Sequence, residues 1–302
     1  MSRPSTMTIS PPEGALPYRV RFDWRLAQLN TRRYLDIHVV DHCNLRCAGC
    51  LHFAPLAQKR FLDLEEYDRD LEMLAAVDGI EGYFSCICLM GGEPLLHPQV
   101  DEIVRITRKR LEHEPIMLST NGLLLKRMGD AFWETLVECD VELSISPYPI
   151  GVDYRGLVEL AGSKGVRTGF SADRTGVDGG KEHFLRLALD PAGEQDPAAS
   201  FTACPFGGVN LQLARSAIWP CQVAAHHPPL EQHFGCHLRD CPEDSLLLAS
   251  LDSVDQIEGF RRAAHPMCRY CANDKLTVVG WERSSFDPGE WIACSEGGNV
   301  PL

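Results

Sequence analysis

Three thiols stand in the eight-residue run Cys43-Asn44-Leu45-Arg46-Cys47-Ala48-Gly49-Cys50, spaced C-x-x-x-C-x-x-C. The run follows Tyr34-Leu35-Asp36-Ile37-His38-Val39-Val40, which reads as a short buried strand. A loop leaving a strand can turn three sulfurs toward one point. A closed four-iron cubane takes four thiolates, so three would leave one iron open to a ligand that is not protein. Core cysteines and a zinc knuckle are the alternatives. A zinc knuckle more often has two-residue spacing and a second pair nearby.

A second strand over 83–90 runs into Gly91-Gly92-Glu93-Pro94. Two glycines after a strand let backbone approach a ligand closely, and Glu93 offers a carboxylate to a cation such as an ammonium group. Farther along, Cys204 precedes a hairpin over 209–220, Cys221 closes it, and Cys268-Arg269-Tyr270-Cys271 follows a helix expected over 253–264. Those four thiols could complete a second cubane with no open iron, or a structural zinc site by count and ligand type. Cys236 and Cys241 fall between them. They are bystanders, alternative ligands, or hydrogen-atom donors facing a substrate. Cys86, Cys88 and Cys139 fall in a strand and a helix and read as core; Cys294 carries no signal.

The three-cysteine loop followed by Gly-Gly-Glu-Pro resembles the radical S-adenosylmethionine (SAM) superfamily. The resemblance covers about half of the chain and implies that Cys43, Cys47 and Cys50 hold a [4Fe-4S] cluster whose open iron binds the methionine part of SAM. It implies that Gly91, Gly92, Glu93 and Pro94 receive the methionine amino group. It puts Asn121, Ser144 and Ser146 where ribose or carboxylate contacts occur. One position departs from the pattern: Gly49 stands where an aromatic residue usually lies near the adenine, which turns attention to Phe53. His52, beside it, is a further candidate contact, or a structural hydrogen-bonding residue. The later cysteines resemble a twitch domain, a shortened SPASM domain, which implies that Cys204, Cys221, Cys268 and Cys271 ligate an auxiliary [4Fe-4S] cluster. An electron donor such as flavodoxin or ferredoxin is implied as well.

The elements that must position these groups alternate. Helical spacing marks 64–77, with Asp63 as its cap, then 100–111, 130–139 and 154–163; strands are expected over 115–120, 141–146 and 166–171. A leading helix is expected over 21–30. Alternation of this kind implies parallel β/α units with right-handed crossovers and ligands at the carboxyl ends of the strands. The expected fold is α/β, and the resemblance makes it a partial (β/α)6 barrel with a small auxiliary-cluster domain. The expected organisation is a loose arm over 1–18, the barrel over 19–200 and the auxiliary domain over 201–302.

With 29 basic and 42 acidic residues among 302, the net charge is −13. That argues against nucleic acid as a partner, because phosphate binding needs a basic face. No stretch is apolar enough to span a membrane or to act as a signal peptide, so the expected location is cytoplasmic. The thirteen cysteines then read as ligands or thiols rather than disulfides.

The resemblance further implies an enzyme of aminocyclitol or aminosugar (aminoglycoside-type) metabolism in antibiotic pathways, with a cationic carbohydrate substrate. Asp173, Asp178, Glu194 and Glu282 are candidates to meet its ammonium groups. The expected reaction is removal of a carbinol hydrogen and oxidation of a secondary alcohol to a ketone. The alternatives are epimerisation with Cys241 or Cys236 as donor, dehydration of a diol, or, from a different class, an iron–sulfur electron-transfer protein.

Overall fold

A computed structural model describes residues 33–170, 181 and 183–293. The arm, the leading helix, Asp173, Asp178 and Cys294 lie outside the described residues.

The first strand, β1 (Tyr34–Val40), buries both faces, as strands of parallel sheets do. Leu35, Ile37 and Val39 enter the main hydrophobic core. Tyr34, Asp36 and His38 alternate onto the opposite, inner face. Four β/α repeats build outward from it. The strands β2 (Cys86–Gly91), β3 (Ile116–Thr120), β4 (Val141–Ile145) and β5 (Thr168–Phe170) pair in parallel, each with the one before. The helices α1 (Leu64–Ala75), α2 (Val100–Arg110), α3 (Asp130–Glu138) and α4 (Tyr154–Ser163) form the crossovers. Asp63 caps α1 as expected, its Oδ1 accepting the Glu66 N–H at 2.9 Å. Strand β2 begins three residues later than the sequence suggests. Tyr83 and Phe84 are buried in the preceding turn, and the Tyr83 hydroxyl is taken by Glu258 at 2.9 Å.

The next elements are β6 (His183–Arg186) and the helix α5 (Pro197–Ala203), then β7 (Asn210–Ala214) and β8 (Ala217–Trp219). Strands β7 and β8 form the expected hairpin. Arg215 and Ser216 both take positive φ, 53° and 51°, at its two-residue turn. Strand β7 pairs in parallel with β1, on the edge away from β2. After β8 come the short helices α6 (Gln222–His226) and α7 (Pro228–Phe234), strand β9 (Leu246–Leu247), helix α8 (Val254–Arg261) and strand β10 (Thr277–Gly280).

The sheet therefore runs β5-β4-β3-β2-β1-β7-β8-β9, six parallel strands with an antiparallel edge. The fold is α/β, a partial barrel whose sixth parallel strand comes from the hairpin. The boundary expected at 200/201 does not break the sheet. Strands β6 and β10 form a separate antiparallel pair. A second core gathers Phe53, Trp219, Leu230, Tyr270 and Trp291. No helix among the described residues is long and apolar enough to cross a membrane.

Candidate active site

The cysteine loop leaves the carboxyl end of β1 and is held from a distance in sequence. Cys47 forms a backbone bridge with Arg283; the Ala48 N–H bonds Glu282 O at 3.0 Å, and the Ser284 N–H bonds Arg46 O at 2.9 Å. The Trp291 indole donates to Cys50 O at 2.9 Å. Gly49 sits at φ +65°, and a Cβ there would lie 3.0 Å from Glu290 O. An aromatic side chain at this position would meet both strain and backbone, which accounts for the departure from the superfamily pattern.

Burial raises all three thiols. Cys47 is pushed up to about 11, with Cys50 adding to the effect. Cys43 rises further, and Glu93, Cys50 and Cys47 add to its burial. The three thiols therefore lie close enough to act on one another. Thiolates formed there would need a cationic partner, which an iron cluster supplies. Among the described residues no three His, Cys, Asp or Glu side chains converge on a single ion. A cubane does not require that, since each thiolate takes a different iron.

Gly-Gly-Glu-Pro braces this loop. Gly91 lies at φ +122°, where a Cβ would stand 2.4 Å from Val40 O; one at Gly92 would stand 2.0 Å from His42 O. The Gly92 N–H donates to Val40 O at 2.6 Å and the Glu93 N–H to His42 O at 3.1 Å. The glycines thus let the end of β2 lie directly on the residue before Cys43. Glu93 is buried. It accepts the Thr120 hydroxyl at 2.7 Å and the backbone N–H groups of Asn121 and Leu95 at 2.8 and 3.1 Å. A carboxylate offers about four acceptor sites, so capacity for an ammonium group remains. Pro94 is buried at the start of the turn that follows.

Burial outweighs these bonds and pushes the Glu93 carboxyl from its usual 4.5 up to about 7. A raised acid stabilises the fold fully below the unfolded value and loses that contribution as pH rises through the folded value. In iron-free protein, stability should therefore decline between about pH 4.5 and 7. Urea titrations across that range should show a shallower decline in Glu93→Gln.

Asn121 is buried, and its amide donates to Asn44 Oδ1 at 2.7 Å and toward Cys43 Sγ at 3.7 Å. It therefore ties β3 to the cysteine loop. Ser144 is buried on β4, and Ser146 follows that strand, its N–H donating to Thr120 O at 2.8 Å. Phe53 is a correction. It is 1% exposed within the second core, so its ring offers no open face to an adenine.

The aromatic groups that do meet the thiols were not suggested by the sequence. The Trp281 indole N–H donates to Cys47 Sγ at 3.2 Å, and Tyr148, 6.2 Å away between ring centroids, also hydrogen-bonds Cys47. Lys181 is near as well: burial lowers its ammonium, while Cys47 and Cys50 raise it. Residue 281 carries no motif, and its link to Cys47 spans 234 residues. Hydrogen bonds to cluster sulfurs tune the reduction potential. Trp281→Phe, which removes the donor, is expected to move the potential of the first cluster to a more negative value, read by titration with electron paramagnetic resonance.

The other four cysteines also come together. Cys204 ends α5, Cys221 precedes α6, Cys268 lies within the short helical turn Pro266–Tyr270 and Cys271 caps it. Burial pushes Cys221 up to about 12, with Cys204 and Cys268 adding. It pushes Cys204 up to about 11, with Cys268 adding. Cys271 rises well above the usual thiol range through burial, Cys221, Cys204 and Cys268. Cys236 is buried in the second core. Cys241 is partly exposed, its N–H held by Asp244 at 2.8 Å. Cys86, Cys88 and Cys139 are core, as expected. Glu194 and Glu282 are exposed.

Residues 37–148 match the family described as the radical SAM superfamily. Members of that superfamily use a [4Fe-4S] cluster and SAM, and Cys43, Cys47 and Cys50 would hold the cluster. A GTP 3',8-cyclase of Chlorobaculum tepidum is 39% identical over 101 residues, 33% of this chain and 29% of that protein. One of Microcystis aeruginosa is 39% identical over 107 residues, 35% and 32% of the two chains. The chain thus spans about a third of the length of the curated relatives it matches. Among solved structures, BtrN in complex with AdoMet and 2-DOIA is 17% identical, with a TM-score of 0.49, over 80% of this chain and 93% of that one.

Proposed function

We propose that the chain is a radical SAM enzyme that oxidises a secondary alcohol of an aminocyclitol or aminosugar to a ketone. The observation that carries this reading is the mutual influence of Cys204, Cys221, Cys268 and Cys271, a second, partly buried group of thiols. Four thiolates saturate a cubane, and a closed cluster supplies an acceptor for the second electron of an alcohol oxidation. Cys43, Cys47 and Cys50 would hold the cluster that, with SAM, would supply the radical chemistry at the carbinol carbon. The protein's own part is to position SAM through the Gly91–Pro94 turn, to orient the carbinol carbon and to keep the barrel dry. The likeness to the GTP 3',8-cyclases covers the radical SAM stretch, and their substrate does not follow from it. A flavodoxin- or ferredoxin-type donor would provide the reducing electron.

Iron analysis and mass spectrometry test this reading together. About eight irons per reconstituted chain are expected from two cubanes, and the product should be lighter than the substrate by two hydrogens. About four irons with stoichiometric zinc would refute the auxiliary cluster.

Epimerisation is a second reading, favoured by the partial exposure of Cys241. Under the oxidation reading, Cys241→Ala still forms ketone. A variant that abstracts hydrogen yet loses an epimerised product would identify Cys241 as a hydrogen-atom donor.

A further inference from the structure

Two aromatic side chains border the cysteine loop without entering a hydrophobic core. Trp133 is buried in the first core and Trp219 and Trp291 in the second. Trp281 lies in neither and is half-buried, and the same is true of Tyr148. A large ring left half-exposed forgoes apolar burial unless a ligand covers it.

The backbone fixes where the indole goes. Trp281 follows the last residue of β10, and residues 282–284 run antiparallel to the cysteine loop. One further step of that register sets Trp281 opposite Gly49, which contributes no side chain. Residues two apart along such a ladder face the same side. The indole therefore falls on the side of Cys47, and its N–H reaches Cys47 Sγ at 3.2 Å. An indole N–H points within the ring plane, so this bond uses an edge of the ring and neither face. The Tyr148 ring is tilted 56° to the indole, with centroids 6.2 Å apart, and the two rings form a corner. Two tight hydrogen bonds hold the Tyr148 backbone: its N–H donates to Ser146 O at 3.1 Å, and the Ile150 N–H donates to Tyr148 O at 2.8 Å.

The thiol loop thus has two unlike sides. Glu93 and Asn121 stand on the side of Cys43. The Asn121 N–H donates to Glu93 at 2.8 Å, and its amide points toward Cys43 Sγ at 3.7 Å. That side suits an ammonium group. The side of Cys47 carries the two rings and suits a flat, apolar face. SAM has these two features at opposite ends, an ammonium on its methionine part and an adenine on the other.

We propose that Trp281, with Tyr148 beside it, packs against the adenine of SAM. The assignment rests on SAM as the cofactor and holds whichever reaction follows. Every base has a π-face, and aromatic side chains stack on it favourably. Phe53, sealed in the second core, cannot do this. The residue that does comes from the far end of the described chain, delivered by the segment that follows β10.

The test measures binding to reconstituted holoprotein by two probes. S-adenosylhomocysteine carries the base, and L-methionine lacks it. Affinity for the first is read by equilibrium dialysis, and affinity for the second by its competition against the first. Trp281→Gln keeps an N–H donor for Cys47 and removes the aromatic face. Trp281→Phe keeps a face and removes the donor. Trp281→Gln should weaken S-adenosylhomocysteine by about five- to 150-fold and leave methionine unchanged. Trp281→Phe should keep most of the affinity for both. Equal losses for the two probes in Trp281→Gln would make Trp281 a brace for the loop and overturn the assignment. Unchanged binding in Trp281→Gln would overturn it too, as would a loss seen in Trp281→Phe alone. If the unaltered protein binds neither probe, SAM as the cofactor falls and this assignment falls with it. Iron is measured on each sample, and a Trp281→Gln sample short of iron is replaced by Trp281→Leu and judged by the same two affinities.

Discussion

Replacing Cys43, Cys47 and Cys50 together with alanine is expected to abolish reductive cleavage of SAM and to leave about four irons per chain. The first effect follows because a cubane whose open iron binds SAM needs the other three irons held by protein. The second follows from the separate gathering of Cys204, Cys221, Cys268 and Cys271, which the substitutions do not touch. The measurements are 5′-deoxyadenosine by chromatography under dithionite and iron by colorimetry. Cleavage that persists in the triple variant would remove the assignment altogether. Zero iron would instead show that the second set cannot load without the first.

The second large effect concerns stability. At Gly92 an added Cβ would stand 2.0 Å from the carbonyl oxygen of His42 and 2.9 Å from that of Asp41. Both obstacles are backbone, and both belong to the stretch that delivers Cys43. Gly92→Ala should therefore cost about 3 kcal/mol or more of folding stability, at the upper end of ordinary overpacking. The same displacement should lower iron at the first site while the second keeps its own. Gly129→Ala is the control, because a Cβ there meets nothing within 4 Å. Equal unfolding midpoints for the two variants would show that the close approach at Gly92 relaxes without cost.

The three-cysteine loop was legible in the sequence because spacing within one loop is a local property. The same is true of the β/α repeats, whose hydrophobic periods place β1, β3, β4 and α4 within a residue of where they lie. Partnerships between distant segments were not legible. Nothing local to 209–213 says that β7 will pair with β1, since two strands far apart in the chain share no pattern beyond alternation. Phe53 illustrates a different failure. Its place beside the cysteines suggested a ligand contact, but the chain turns there through φ 52° and sends the ring into the second core. Trp281 and Tyr148, which do touch Cys47, sit in no motif, and the former is brought there by backbone contacts of 282–284 with the cysteine loop, the Cys47–Arg283 bridge among them.

That bridge also sets an order of events during synthesis. The loop bearing Cys47 leaves the ribosome 234 residues ahead of the tryptophan that closes on it. At 5–20 residues per second the interval is about 12–47 s. For that time the nascent chain presents three thiols in a loop still lacking the distant segment that braces it. Iron delivered in the interval would meet a half-built cradle, and iron delivered after release would meet a finished one. Maturation of the first cluster is therefore expected to follow completion of the polypeptide. A chain truncated before residue 281 should take up iron at these cysteines slowly and lose it readily to a chelator.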